Sequence, residues 1–143
     1  METVKTIPEK IGVYKLDHDT VGFKKIFCYY EDGTSKNHIA KLLIPKGSTV
    51  VVPCELVSRG SGYDTVTVCS GPSNKLRTNN YRIMEIFSYK TKKIKSCNAI
   101  YNGDTSYKEG GSYISKLNVS TDEQCTEGLH FFRTESEAKD YFF

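Results

Sequence analysis

The chain has 143 residues, 26% of them charged and 38% hydrophobic, and its 20 basic against 17 acidic side chains leave a formal net charge of +3. That length fits one domain, residues 1–143, able to bury about 70% of its unfolded surface without metal or disulfide staples. The charge balance is too mildly basic for a dedicated nucleic-acid binder, and no apolar run approaches the length of a membrane span.

Met1 to Lys10 has neither an apolar stretch nor a small-residue cleavage site, so it does not read as a signal peptide. The first candidate strand is Ile11 to Leu16. A stronger one runs from Lys24 to Tyr30, with Ile26, Cys28 and Tyr30 on one face and Lys25, Phe27 and Tyr29 on the other. Glu31-Asp32-Gly33-Thr34 is a turn, because Asp-Gly readily takes positive backbone angles. His38 to Ile44 is the return strand of that hairpin, ended by Pro45-Lys46-Gly47. Thr49 to Val52 is β-branched and bounded by Pro53. Ser58 to Gly62 reads as a flexible loop, and Thr65 to Cys69 as a strand with valines on one face and threonines on the other.

Arg82 to Ser88 is the most apolar strand and is expected to be buried on both faces. The basic stretch that follows, with Lys90, Lys92, Lys93 and Lys95, reads as an exposed, solvated turn. Tyr101 to Gly111 is a loop of small and polar residues in which Tyr101, Asn102 and Asp104 are candidate ligand contacts. Ser112 to Leu117 is a further strand. Near the C-terminus, Gly128 precedes a short strand from Leu129 to Phe132. Thr134-Glu135-Ser136-Glu137 is then a capping box, in which the Thr134 hydroxyl accepts the Glu137 amide and the Glu137 carboxylate reaches back to the Thr134 amide. Ala138, Tyr141 and Phe142 give that helix an apolar face. The expected fold is therefore α+β: a β-rich single domain of mostly antiparallel strands with a short C-terminal helix.

The five cysteines, Cys28, Cys54, Cys69, Cys97 and Cys125, are odd in number, widely spaced and free of any Cys-x-x-Cys. They read as free thiols of a reducing compartment, in host-cell cytoplasm or a virion and not secreted. Cys125 and His130 lie five apart, but structural zinc sites use a tight ligand pair and none is present, so no metal site is expected. His18 and His38 sit in polar sequence and read as solvated. No nucleophile, phosphate-loop or metalloprotease motif is present, so neither a catalytic residue nor a cofactor is assigned.

Three stretches resemble an uncharacterised domain family of large DNA viruses and bacteriophages. They are His38 to Gly47, like that family's K-L-x-I-P-x-G strand and turn; Lys75 to Ile86, like its C-R-x-x-x-x-x-V-L-x-I strand, with Leu76 at the place of its Cys; and Cys125-x-x-Gly128-Leu129-His130-Phe131-Phe132 through Ala138 and Tyr141, like its C-x-x-G-[IL]-H-F-F ending. The resemblance implies a viral setting. A fainter likeness runs to the ADP-ribosyltransferase fold, where a Gly-x-Tyr-Phe strand also leads into a helix; here His130 stands where the tyrosine would be.

The expected function is thus that of a non-enzymatic viral protein acting by binding, as a minor capsid component of the virion or as an accessory protein, with viral or host proteins as partners. The alternative is a small ADP-ribosyltransferase-like enzyme or a nucleotide-sequestering protein, with a nucleotide-like small molecule as ligand and His130 and Phe132 at the site. Nucleic acid is not an expected partner.

Overall fold

The computed structural model describes residues 1–87, 94–99 and 106–141. They form thirteen strands and one helix: β1 (Glu2–Val4), β2 (Gly12–Leu16), β3 (Thr20–Tyr30), β4 (Ser35–Ile44), β5 (Thr49–Val52), β6 (Cys54–Arg59), β7 (Val66–Pro72), β8 (Leu76–Thr78), β9 (Asn80–Phe87), β10 (Ile94–Ala99), β11 (Ser106–Tyr107), β12 (Ser112–Ile114), β13 (Leu129–Phe131) and α1 (Glu135–Lys139). One sheet has the order β1-β2-β5-β8-β13 and the other β11-β10-β3-β4-β9-β12, while β6 and β7 form a two-stranded sheet of their own among the described residues. β1 lies parallel to β2, and the other pairs among the described residues are antiparallel. No helix among the described residues is long and apolar enough to cross a membrane.

The two sheets share one core. Leu16, Val50, Val52, Leu76 and Phe131 of the first sheet join Ile26, Leu42, Ile44, Tyr81 and Ile83 of the second. The physical reason is alternation: β3 and β4 bury every second side chain over most of their length, so each offers one apolar face. The β3–β4 hairpin closes through Gly33 at φ +88°, the backbone angle that its Asp-Gly turn requires. β9 departs from the expected burial on both faces. Glu85 is exposed and Met84 is 43% exposed, because a register shift in the pairing with β4 turns these neighbours outward.

Five strands, β1, β6, β8, β10 and β11, arise where no strand was expected: β10 includes Lys95, which read as part of an exposed turn, and β11 lies in the stretch from Tyr101 to Gly111 that read as a loop. β1 and β8 are three residues long, too short to show a period. β6 covers Ser58 and Arg59, which read as the start of a loop; only the segment beyond them turns, through a short 3-10 stretch at Gly62–Asp64.

The cysteines are the clearest correction. Cys28 and Cys97 form a disulfide, as do Cys54 and Cys69, leaving Cys125 free and exposed. Wide spacing along the chain misled because Cys28 and Cys97 are direct partners across β3 and β10, and Cys54 and Cys69 lie on the two strands of the β6–β7 ribbon. His38 is a second correction. It is 6% exposed, with Nδ1 2.5 Å from the Phe87 carbonyl and Nε2 2.5 Å from the Tyr30 hydroxyl. A carbonyl only accepts, so Nδ1 carries the ring proton and Nε2 accepts from Tyr30.

At the C-terminus the Thr134 hydroxyl accepts the Glu137 amide at 3.2 Å and donates to the Glu137 carboxylate at 3.0 Å, so the return bond of the capping box falls on the hydroxyl. Lys25 Nζ donates to the Lys139 and Tyr141 carbonyls and closes the other end of the helix. Thr134→Ala is expected to cost about 1 kcal/mol, read as a lower urea midpoint at an unchanged m-value.

Candidate functional site

The two sheets meet at one seam. Phe23 of β3 and Phe132, which follows β13, exchange backbone hydrogen bonds of 2.8 and 2.7 Å. Three cations gather there. Lys24 belongs to the same alternation set as Gly22, Ile26 and Cys28, so its side chain starts from a core-facing position. The residue as a whole is half-buried. Its Nζ donates to the His130 carbonyl at 3.1 Å and lies 5.9 Å from the Tyr107 ring centroid. Burial first, and the neighbouring Lys75 second, lower its pKa to about 8. Lys75, just before β8, donates to the Tyr141 hydroxyl at 2.8 Å and reaches the Cys125 sulfur at 3.8 Å. Its Nζ also sits 4.9 Å from the Tyr141 ring centroid, which packs on Phe132 at 5.2 Å.

His130 lies between these groups. Its Nε2 is 3.2 Å from the Gln124 carbonyl, so in the neutral ring that nitrogen carries the proton. Burial, then Lys75 and Lys24, and more weakly Arg77, push its pKa down to about 4. Folding therefore holds His130 neutral through the range where an unfolded histidine charges. The native state binds fewer protons there, so its contribution to stability is full above about pH 6.5 and is lost as pH falls toward 4.

Arg77 of β8 is fully buried and organises the strandless segment from Ser115 to Gly128. Its Nη2 donates to the Asn118 carbonyl at 2.9 Å and the Ser120 carbonyl at 2.6 Å, and its Nη1 donates to the Glu123 carbonyl. Desolvation lowers its pKa, against the pull of Glu123. Gly128 closes the same segment at φ +144°, where an added Cβ would stand 2.8 Å from Leu117 and 3.2 Å from the Arg77 Cβ. None of this was visible in the sequence, where an arginine in a short strand carries no mark of burial.

The model of a protein family described as "Family of unknown function (DUF5758)" matches residues 4–138. The chain belongs to that family. No curated protein and no solved structure matches it. Family membership defines the domain and leaves the chemistry to be read from the residues.

Of the sequence-predicted site residues, the structure places His130 and Phe132 at the seam. Phe132 is 6% exposed and belongs to the core together with fully buried Phe131. Tyr101, Asn102 and Asp104 lie outside the described residues, as do Lys90, Lys92 and Lys93. Lys95 is exposed on β10, remote in the sheet order from β9. His18 is exposed, as expected, with Nδ1 2.5 Å from the Asp17 carboxylate. Among the described residues, no three His, Cys, Asp or Glu side chains are grouped to hold a metal. Lys24, Lys75 and Arg77 were not singled out by the sequence. The available signal was the parity of Lys24, which sits in step with Ile26 and Cys28.

A second surface stands apart from the seam. The β6–β7 ribbon belongs to neither sheet and is exposed over most of its length. By register and alternation Val57, Val66 and Val68 share one of its faces. Val66 is 58% exposed, and Tyr63 at the tip is fully exposed. The Cys54–Cys69 disulfide closes the ribbon near its base, where the Cys54 amide donates to the Thr121 carbonyl at 2.6 Å.

Proposed function

We propose that this protein acts by binding other proteins, as a minor component of a virus particle, and that the β6–β7 ribbon is the element that engages them. The observation that carries this reading is the ribbon itself: a stapled two-stranded arm outside both sheets, with Val66 and the terminal Tyr63 in solvent beside the half-buried Val57 and Val68. Paired strands with exposed apolar side chains suit packing on a neighbour, and tyrosine is a common anchor of protein interfaces. The two disulfides favour the particle over the cytosolic accessory version, because such bonds persist in oxidising settings that include virion surfaces. The viral setting rests on the likeness of the Cys125 to Phe132 signature and its continuation to Tyr141. The partner is a viral structural protein presenting an apolar patch.

The test is quantitative cross-linking on purified particles of the source virus. Cross-links should run from the ribbon to a major structural protein. The double variant Tyr63→Ser/Val66→Ser should lower incorporation roughly tenfold, as expected for loss of interface anchors, with unchanged thermal stability, since both side chains are exposed. Absence of the protein from particles, or turnover of NAD by the purified protein, would overturn the reading.

A further inference from the structure

We propose that the Cys54–Cys69 bond is a redox switch that sets the strand register of the β6–β7 ribbon, so that its reduction by a dithiol splits the face that Val57, Val66 and Val68 share. The proposal rests on the reading of the ribbon as the docking element. The ribbon holds two registers. At the base Cys54 lies opposite Pro72, whereas further out Leu56 lies opposite Cys69, Val57 opposite Val68 and Arg59 opposite Val66. Glu55 therefore faces both Ser70 and Gly71, one residue too many on β7, and Gly71 stands at φ +138°. Backbone bonds hold the base: the Cys54 amide donates to the Thr121 carbonyl, and the Ser73 amide to the Pro53 carbonyl at 2.8 Å. A buried face would fix the register further out, but from Val57 to Val68 every residue is half-buried or exposed.

Carried outward, the base register would set Ser58 opposite Val68 and Arg59 opposite Thr67. Val66 and Val68 would then leave the face of Val57. The slip would also end the bulge. It lengthens the tip by one residue, which Gly60 and Gly62, both at positive φ, can absorb. The disulfide forbids this rearrangement. The Cys54 and Cys69 Cα atoms are 5.6 Å apart. The slip would place Cys69 three residues along the ladder from Cys54, roughly 10 Å of strand, past the Cα separation of about 7 Å that a disulfide spans.

The chemistry is a thiol–disulfide exchange. Cys69 is exposed and Cys54 is buried, so a thiolate of the dithiol attacks the Cys69 sulfur and the electron pair of the S–S bond leaves on Cys54. The second thiolate of the dithiol then displaces Cys69 from the mixed disulfide. Two electrons pass to the protein, two protons complete the Cys54 and Cys69 thiols, and the dithiol departs as its own disulfide.

The experiment reads cross-strand NMR contacts in the full chain, together with incorporation into particles of the source virus. In the oxidised protein Val57 should face Val68, and Ser58 should face Thr67. After brief dithiothreitol treatment that leaves Cys28–Cys97 intact, Ser58 should face Val68 and Arg59 should face Thr67. Cys54→Ser/Cys69→Ser should show the same contacts without reductant, and its incorporation should fall roughly tenfold, as for loss of interface anchors. Deleting Gly71 from that variant removes the extra residue, so Val57 should again face Val68 and incorporation should return. A reduced ribbon that keeps Val57 opposite Val68, or that loses all cross-strand contacts, overturns the switch. Full incorporation of the slipped variant does the same. If the wild-type protein is absent from particles, the docking reading falls, and the register change stands or falls on the NMR contacts alone.

Discussion

Replacing Arg77 by methionine is expected to destabilise the protein by about 4 kcal/mol, equivalent to a fall in Tm of roughly 8–16 °C for a chain of this size. An apolar substitute for a buried charge is often tolerated when the charge's partner leaves with it. Here the partners are the backbone carbonyls of Asn118, Ser120 and Glu123, and they stay behind without a donor. The segment they belong to contains no strand and packs through few apolar residues, so the guanidinium is the principal agent that orders it. The damage should spread in a defined pattern. The Asn118 amide, bonded to the Glu127 carbonyl, and the Cys54 amide, bonded to the Thr121 carbonyl, should lose protection from hydrogen exchange. The β3–β4 hairpin should keep it. Arg77→Lys should recover only part of the loss, because one ammonium cannot reproduce the fork. Unchanged protection at Asn118 and Cys54 would show that the segment holds itself in place.

The second large effect concerns the buried disulfide. Cys28 and Cys97 are 69 residues apart, and closing a loop of that length restricts the unfolded chain enough to stabilise the native state by about 4 kcal/mol in the chain-entropy account. Cys28→Ala/Cys97→Ala should therefore lower the urea midpoint by a corresponding amount. Cys54→Ala/Cys69→Ala spans only 15 residues, and its effect should stay largely within the ribbon. The two bonds should also differ under mild reductant. Cys69 is exposed, whereas Cys28 and Cys97 are 0% and 1% exposed. Mass spectrometry after timed alkylation should thus find Cys125 labelled at once, and Cys54 and Cys69 labelled before Cys28 and Cys97. Labelling of Cys28 and Cys97 at the same rate would mean that β10 detaches from β3 far more readily than its burial implies.

Much of the β architecture was legible because its signals are local. The Asp32-Gly33 turn and the alternation on either side announce β3 and β4, the Val–Thr alternation announces β7, and Thr134 with Glu137 announces α1. What failed was long-range. A period cannot be read from three residues, so β1 and β8 were invisible, and with β8 went Arg77. Cysteine spacing in sequence says nothing about which strands become neighbours, so both disulfides were missed. His38 looked solvated because Lys36 and Asn37 precede it, yet it begins the buried alternation of β4. The candidate site was half legible. His130 stood out through its apolar neighbours, while the lysines that surround it come from segments distant in the chain.

The paired backbone bonds between Phe23 and Phe132 have a consequence for biosynthesis. Phe23 leaves the ribosome early, and its fastener follows more than a hundred residues later, on the order of ten seconds at ordinary elongation rates. Until then β3 and β4 can form their hairpin, but the apolar faces that later close on each other stay open to solvent. The nascent chain must be shielded through that interval, so its yield in a foreign host should depend on chaperone supply during translation rather than on the stability of the finished protein.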